Sequence, residues 1–426
     1  MKNIRTYISI LLVVAITIGT SGCSTPTLTT YALNATDLMD SVSPNSVSGK
    51  TADAEFIVAT ADFSVELFKK SITDGENSLI SPLSVMLALA MTANGADGET
   101  LAQMESIIGS GIPIAELNEY LYSYAHSLPS MEKSELSIAN SIWFRNDGDS
   151  LQIQADFLQR NADYFHAAAY SSVFDSQTVM DINNWVSVNT AGKIDTILSE
   201  IGELDMLFLI NAVMFEAEWQ RVYYKENVRN GDFTDINGTA INVDFMHSNE
   251  YAYLDDGMAT GFLKPYANGA YSFAALLPNE GVPIEEYIES LTGAGLLDTL
   301  GKVQDVLVIA SMPKFEYDYS ISMIDALKTL GIYDAFDEFI ADFGRMATSM
   351  IPGYPNLYIS EVLHKTFISV DELGTKAGAV TMVSMAAGGS AIPVEPKIVN
   401  LDRPFVYAII DNATNLPVFI GTLMTV

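Results

Sequence analysis

The stretch that most constrains the fold of this chain is Val370 to Val394, which reads VDELGTKAGAVTMVSMAAGGSAIPV. After Lys376 it carries no charge until Glu395, and small residues fill it. Exposed loops usually collect Asp, Asn and Pro, and core strands are rich in large apolar residues, so this composition fits neither. Read with a period of two, Thr375 begins a face of small side chains that could be buried. The pattern predicts an exposed segment able to slip into a sheet as a strand; a flexible Gly/Ala-rich linker is the alternative.

The first residues are typical of an export signal. Lys2 and Arg5 precede an apolar run from Ile8 to Ile18, shorter than the about 20 residues that a membrane span needs. Thr20-Ser21-Gly22-Cys23 resembles a bacterial lipobox, in which the cysteine is lipidated after cleavage. We predict a signal peptide over residues 1–22 and a lipid-anchored flexible tether over residues 23–50, which are rich in Ser, Thr, Asn and Pro. An ordinary secretory signal or an uncleaved anchor is the alternative, so the protein is expected at the bacterial cell surface or secreted.

Composition limits the partners and the architecture. The chain has 53 acidic and 21 basic residues and a formal net charge of -32, which argues against nucleic acid and against a heparin-like polyanionic cofactor. Cys23 is the only cysteine, so no disulfide is expected and a large core must hold the fold. No second linker follows Lys50. We therefore predict one large domain over residues 51–426 that contacts a membrane only through its anchor.

Hydrophobic periodicity predicts helices early in the chain and strands late, an α+β plan with mixed or antiparallel sheets. The predicted helices are Ala54 to Ser71, one that starts at Pro82 after Ser81, Leu101 to Ile108, Ile114 to Ser127, Ala155 to Phe165, Val179 to Thr190, two short ones within Ile284 to Leu300, and Ile321 to Leu330. The predicted strands are Leu136 to Phe144, Met206 to Phe215, Phe245 to Leu254, Tyr271 to Leu277, Val306 to Ser311, Leu357 to Val370, Phe405 to Ile410 and Val418 to Leu423.

No conventional enzyme motif is present. The four histidines, His126, His166, His247 and His364, are scattered without metal-ligand spacing. Asp342-Phe343-Gly344 spells a kinase motif, but no glycine-rich nucleotide loop accompanies it, so we interpret it as chance. We predict that the protein is not an enzyme and carries no metal or other cofactor.

Seven further segments have recognisable motifs in a fixed order. They are NSLISPLSVMLALAMTANG from Asn77, LINAVMFEAEW from Leu209, MPKF from Met312, LKTLGIYDAF from Leu327, HKTFISV from His364, RPFVY from Arg403 and PVFIG from Pro417. With the small-residue stretch, they make the chain from about Ala54 to Val426 resemble the serpins. The resemblance implies the serpin fold: a large mixed or antiparallel central sheet, further sheets, a helical layer, and an exposed reactive-centre loop over about residues 372–396.

The resemblance also assigns roles to particular residues. It implies a hinge at the start of the loop, formed by Glu372, Gly374, Thr375, Ala377, Ala379 and Thr381. It implies a polar cluster beneath the opening sheet, formed by Ser81, Ser84, Asn211 and His364. Trp219 is expected where the loop enters the sheet. Without the resemblance, a buried histidine paired with backbone and an ordinary core tryptophan are the alternatives. Lys376, Gly378, Glu216 and Glu218 depart from the family pattern without removing a hinge requirement.

In the serpins a protease cuts the loop, and the loop inserts while the protease is attached as an acyl-enzyme. We therefore predict a monomeric, single-use suicide inhibitor that forms a covalent complex with a serine protease. No Lys or Arg lies between Lys376 and Lys397, which argues against a trypsin-like target. The scissile-bond candidates, Ala387, Gly388, Gly389, Ser390 and Ala391, favour elastase-like or subtilisin-like enzymes.

Three alternatives remain open at this point. A papain-like cysteine protease is a second possible target. A non-inhibitory serpin acting as a carrier or binding protein would keep the fold, although such members usually have bulky or charged hinge residues. A surface solute-binding lipoprotein would share the signal, the tether and the acidity but would lack the hinge.

Overall fold

The computed structural model describes residues 33–148, 150–351, 356–375 and 395–426, in which α-helices pack on two large β-sheets. The helices are α1 Ala54–Ser71, α2 Pro82–Ala93, α3 Gly98–Ile108, α4 Ile114–Ser127, α5 Ala155–Phe165, α6 Ser176–Asn189, α7 Ile284–Ser290, α8 Gly293–Gly301 and α9 Ile324–Leu330. The strands are β1 Thr36–Asp37, β2 Ser78–Ile80, β3 Ser134–Arg145, β4 Leu151–Ile153, β5 Ala168–Ser172, β6 Leu207–Glu218, β7 Val228–Thr234, β8 Ala240–Asp255, β9 Ala259–Pro265, β10 Tyr271–Pro278, β11 Gln304–Pro313, β12 Phe315–Ser322, β13 Ala347–Ser349, β14 Glu361–Val370, β15 Gly374–Thr375, β16 Lys397–Asn400, β17 Phe405–Asp411 and β18 Pro417–Leu423.

The first two helices begin where local chemistry favours a start. The carboxylate of Asp53 accepts a hydrogen bond from the amide of Phe56, which satisfies one of the free donors at the beginning of α1. Helix α2 starts with Pro82, whose missing N–H costs nothing at that position. All residues of α2 are buried, so this helix lies inside the molecule and not on its surface.

The central sheet has seven strands in the order β1-β5-β3-β6-β15-β14-β12, with β6 also paired directly to β14. Both faces of β6 are covered, as its nearly continuous apolar sequence requires. Leu209 and Val213 pack into the main core, whereas Phe208 and Ile210 belong to a smaller cluster that includes Trp185 of α6. The central sheet is therefore covered on both sides at β6.

A second sheet has the order β16-β11-β8-β9-β10-β17-β18-β2, with β7 paired to β8. A two-stranded sheet of β4 and β13 completes the β-structure of the described residues. This arrangement confirms the predicted α+β class with a large mixed central sheet. None of the nine described α-helices combines enough length and apolar character to cross a bilayer.

Most predicted elements have close counterparts, and the misses have local causes. The predicted helix from Ile321 begins only at Ile324, because the preceding residues finish strand β12. Strand β9 was not predicted, since Gly261 and Lys264 interrupt its apolar pattern. Strand β7 escaped prediction as well, and only one of its residues, Phe233, is fully buried.

Residues 33–50 differ from the flexible tether that the sequence analysis assigned to them. Strand β1 pairs with the edge strand β5, and the amides of Asn34 and Ala35 each donate to Asp181 at 2.8 Å. At the other end, Lys50 forms an ion pair with Glu116 of α4 at 2.5 Å. A polar composition rich in Ser and Asn did not reveal these contacts, because the backbone supplies most of the hydrogen bonds.

Candidate site of loop insertion

Strands β6 and β14 run parallel, and they pair with each other along only part of their length. Glu361 to Lys365 of β14 pair with Phe208 to Ala212 of β6, and we call this paired stretch the seam. Beyond it, strand β15 lies between the two, with Thr375 opposite Val370 on β14 and opposite Ala217 on β6. Strand β15 is antiparallel to both neighbours. The central sheet therefore already holds the first two residues of a strand that could continue along the seam.

Four polar side chains, which we call the seam cluster, lie at the seam: Ser84, Asn211 and His364 are buried, and Asn140 is partly buried. The amide of Ser81 donates to Nε2 of His364 at 3.1 Å, so Nε2 carries no proton. Nδ1 must then hold the proton, and it donates to Oδ1 of Asn211 at 2.5 Å. The amide nitrogen of Asn211 donates to Oγ of Ser84 and to Oδ1 of Asn140. The cluster thereby joins α2, β3, β6 and β14 through one asparagine.

Burial keeps His364 neutral. Its side chain is fully buried, and desolvation of the charged form lowers its pKa to about 3 from an ordinary value of 6.5. A second proton on Nε2 would point at the donating amide of Ser81. The hydrogen-bond pattern of the seam cluster therefore requires the neutral ring.

The hinge begins with a turn that docks on the end of β6. Trp219 donates from its amide to the carbonyl of Leu373 at 2.8 Å and from its indole nitrogen to the carbonyl of Asp371 at 2.9 Å. The amide of Tyr223 donates to the carbonyl of Glu372 at 2.9 Å. We call the segment Trp219 to Tyr223 the docking segment. Its donors satisfy three consecutive hinge carbonyls, so the turn is held in one orientation.

Two hinge residues after this turn are fitted to their places. A Cβ on Gly374 would collide with the carbonyl oxygen of Ala217, so the close approach of the two strands needs glycine there. Thr375 is 2% exposed, and its hydroxyl lies 2.6 Å from the hydroxyl of Tyr266. Tyr266 in turn stacks on Trp219 with 4.5 Å between ring centroids. The first inward side chain of the loop is therefore small, buried and paired.

Charged groups surround the hinge. Glu372 forms an ion pair with Lys314 of the MPKF segment at 2.5 Å. Partial burial alone would raise the pKa of Glu372, but the hydrogen bond and the charge of Lys314 outweigh it and lower that pKa. The two acidic departures from the family pattern are also paired, Glu216 with Lys193 at 3.1 Å and Glu218 with Lys133 at 2.9 Å. The acidic residues on β6 therefore do not leave an unbalanced negative charge at the insertion site.

The structure places the predicted site residues in two groups. Ser81, Ser84, Asn211 and His364 lie together at the seam, and Glu372, Gly374, Thr375 and Trp219 lie together at the end of β6. The remaining predicted residues lie outside the described part of the chain: Ala377, Ala379, Thr381, Ala387, Gly388, Gly389, Ser390, Ala391 and Cys23.

Sequence reasoning missed three residues that contact these groups. Asn140 completes the seam cluster, Tyr266 binds Thr375, and Lys314 binds Glu372. Lys314 was within reach, because it belongs to a motif that carried the family resemblance. Asn140 offered a weaker signal, a polar residue within an otherwise apolar strand pattern.

The fold and the site together define a protein in which Gly374 and Thr375 pair within the central sheet, between β6 and β14. A family model described as Serpin (serine protease inhibitor) matches residues 58–426. The chain belongs to the serpin family. An uncharacterized serpin-like protein of Thermococcus kodakarensis is 29% identical over 376 residues, which cover 86% of this chain and 84% of that protein.

Solved structures of a thermophilic serpin, tengpin, are similar in two conformations. Its native state matches with a TM-score of 0.87 and 55% identity, covering 92% of this chain and 100% of that one. Its latent state matches with a TM-score of 0.78 and 52% identity, covering 89% of this chain and 100% of that one. By TM-score, this chain is thus more similar to the native state of that protein than to its latent state.

Proposed function

We propose that this serpin is a single-use suicide inhibitor of serine proteases, most suited to elastase-like or subtilisin-like enzymes. The observation that carries the proposal is the position of Thr375, which lies between β6 and β14 opposite Val370 and Ala217, while the same two strands pair with each other from Glu361 to Lys365. Gly374 and Thr375 already pair within the sheet, and farther along β6 and β14 pair with each other. Cleavage of the loop would free one end and let insertion continue.

The driving force is the pairing that the intact loop cannot make. A fully inserted strand would exchange hydrogen bonds with both β6 and β14, and its inward side chains would be buried. Residues 377, 379 and 381 share the face of Thr375 by strand periodicity, and all three are small. If the protease is still bound as an acyl-enzyme, insertion carries it along the sheet and distorts its active site before water releases it. Insertion must therefore outrun deacylation.

The choice of target rests on the residues at the candidate scissile bonds. Ala, Gly and Ser at the candidate scissile bonds suit small primary pockets, and the lack of Lys and Arg disfavours an anionic pocket. A papain-like cysteine protease is the second target class to test. If the protein were a carrier instead, cleavage of its loop would trap no protease.

Incubation with pancreatic elastase, subtilisin and papain, followed by denaturing electrophoresis, tests the proposal. The wild-type chain should give a detergent-resistant covalent band with elastase or subtilisin. Thr375→Arg should be cleaved without that band, because it places a charge in a site that is 2% exposed. Thr375→Ser keeps the hydroxyl that meets Tyr266 and is the matched control. A Thr375→Arg variant that still traps protease would refute the insertion mechanism, and cleavage without trapping by all three enzymes would favour the carrier.

We also propose that the chain is exported and anchored through a lipid on Cys23. The support is the sequence alone: a basic start, an apolar run and the Thr-Ser-Gly-Cys motif. Mass spectrometry of the exported protein should find Cys23 as a lipid-modified first residue. A mature chain that begins elsewhere and carries no lipid would contradict this anchor.

A further inference from the structure

A buried ion pair lies behind the docking segment. Nζ of Lys264 on β9 is 2.8 Å from Oε1 of Glu250 on β8, and the two side chains are only 2% and 7% exposed. No other ion pair within the described ranges buries both partners to this degree. Neither residue was singled out in the sequence, and neither belongs to the sites described above.

The ammonium of Lys264 faces the docking segment from beneath. It donates to the carbonyl of Arg221 at 3.2 Å, and it lies 4.2 Å from the ring centroid of Tyr223 and 5.4 Å from that of Trp219. Contacts of a cation with aromatic faces are stronger when both are removed from water. Arg221, Tyr223 and Trp219 are the middle and the two ends of the segment that binds the hinge carbonyls. One ammonium group therefore contacts the whole length of the docking segment.

Glu250 is fixed in turn from its other side. Ser248 donates from its hydroxyl to Oε1 of Glu250 at 2.7 Å, so this carboxylate oxygen accepts both from Ser248 and from Lys264. Burial alone would lower the pKa of Lys264, but Tyr223 and Glu250 outweigh it, so the amine stays charged. The charge is thus held at a defined position by two strands of the second sheet.

Stability alone does not explain an ion pair at this position. Replacing a buried ion pair by apolar residues of similar size is often neutral or stabilising, because two charges no longer have to be desolvated. An apolar side chain, however, cannot donate to the Arg221 carbonyl or attract two ring faces. We propose that Lys264, held by Glu250, is a positioning residue that keeps the docking segment in the conformation that receives the hinge. This inference rests on the proposed inhibitory function, and it identifies what prepares the sheet for rapid insertion.

The consequence concerns the competition between trapping and release of the protease. If the docking segment loosens, the three hinge carbonyls lose their fixed donors and the hinge must find its place before insertion proceeds. A slower start gives water more time to hydrolyse the acyl-enzyme. More inhibitor molecules would then be consumed as substrate for each protease molecule trapped.

The double variant Lys264→Met/Glu250→Gln separates this role from a general loss of stability. Lys264→Met alone would leave a buried carboxylate unpaired, whereas Gln keeps an acceptor oxygen for Ser248 without a charge. Lys302→Met is the matched control, because its ion pair with Asp298 is exposed, at 74% and 59%. Both variants and the wild type are studied as the full chain.

Amide hydrogen exchange provides a readout that needs no protease. We expect the amides of Trp219 and Tyr223 to exchange at least about tenfold faster in the double variant, since they bind the hinge carbonyls. The amide of Ser81, which binds His364 at the seam, should exchange as in the wild type. Unchanged exchange at Trp219 and Tyr223 would overturn the proposal, and so would equal acceleration at all three amides, because it would indicate a merely structural role.

The second readout is the number of inhibitor molecules consumed per trapped protease. We expect a rise of several-fold for the double variant and no change for Lys302→Met. Faster exchange without this rise would show that docking does not govern insertion and would overturn the inference. If the wild type traps no protease at all, the inhibitory function fails, while the exchange experiment still decides whether Lys264 positions the docking segment.

Discussion

The seam and the insertion site, by which we mean the end of β6 where Glu372 to Thr375 dock, lie along the same pair of strands. They are nevertheless held by different chemistry. The seam cluster consists of neutral groups, and Ser84, Asn211 and His364 are at most 1% exposed. The insertion site includes charged pairs near solvent, such as Lys314 and Glu372, whose side chains are 28% and 31% exposed. Neutral buried hydrogen bonds depend strictly on geometry, whereas charge attraction decays gradually with distance and is screened by salt.

This difference indicates that the seam and the insertion site have different roles. Separation of β6 from β14 would break the hydrogen bond from His364 to Asn211, which joins the two strands, whereas the other contacts of Asn211 are to Asn140 on β3 and Ser84 on α2. Each buried polar group left without a partner costs about 1–3 kcal/mol. We infer that the seam sets the threshold for sheet opening. The charged pairs above it orient the hinge without a comparable threshold.

Removal of the shared asparagine should have the largest effect. Asn211→Ala deprives His364, Ser84 and Asn140 of their partner within the core, so we expect the free energy of unfolding to fall by about 3 kcal/mol or more. Urea unfolding at neutral pH measures the loss. Asn189→Ala is the control, because its amide only donates to a carbonyl in its own helix. A loss below about 1 kcal/mol for Asn211→Ala would mean that the seam cluster sets no threshold.

The second-largest effect should be a loss of stability in acid, caused by protonation of His364. His364 has a pKa of about 3 in the folded chain and takes up a proton near 6.5 when unfolded, so the unfolded state binds more protons between these values. Its contribution to stability is complete above pH 6.5 and declines by about 1.4 kcal/mol per unit below it. By pH 5 the wild type should lose roughly 2 kcal/mol more than His364→Gln does. Urea unfolding at several pH values provides the comparison.

The control for the acid experiment is another histidine. His126 lies on the exposed side of α4, where its Nδ1 meets the carbonyl of Tyr122 at 2.8 Å. His126→Gln therefore removes a histidine outside the seam and is measured in parallel. If His364→Gln and the wild type lose the same stability in acid, protonation of His364 does not cause the loss.

The hinge ion pair should give a smaller effect that depends on salt. Lys314→Met removes the partner of Glu372, and we expect a loss of about 1 kcal/mol at low ionic strength, because both side chains are partly exposed. In about 1 M salt most of the difference from the wild type should vanish, whereas the Asn211→Ala difference should persist. Urea unfolding at two salt concentrations separates the two regions. Equal salt dependence of both variants would remove the distinction between neutral seam and charged hinge.

The helices and the general plan could be predicted because they depend on local periodicity. Helix α1 repeats apolar residues such as Phe56, Ala59 and Phe63 at helical spacing, and its predicted bounds agree with the structure. Strand β9 could not be predicted in this way, since Lys264 is a charged residue at a buried position. Its burial becomes favourable only beside Glu250, which lies on another strand.

The site was predictable only where motif resemblance supplied the positions. Asn211 and His364 came from two ordered motifs, and no local pattern in either one indicates that they touch across 153 residues of chain. Tyr266 lies 109 residues from Thr375 and Asn140 lies 71 from Asn211, in segments without a motif that we recognised. Contacts between distant strands depend on sheet register, which a single sequence does not specify.

The smallest effect is expected where the two regions meet. Glu216 lies on β6 beyond the seam and forms an ion pair with Lys193 at 3.1 Å. The side chains of Glu216 and Lys193 are 30% and 27% exposed. Lys193→Met should lower the free energy of unfolding by only about 0.5 kcal/mol, and salt should abolish the difference, because a partly exposed pair is weak and screened. Urea unfolding beside Lys302→Met, which removes a more exposed pair, supplies the scale. A loss as large as that of Asn211→Ala, insensitive to salt, would extend the threshold from the seam into the charged region and end the division between them.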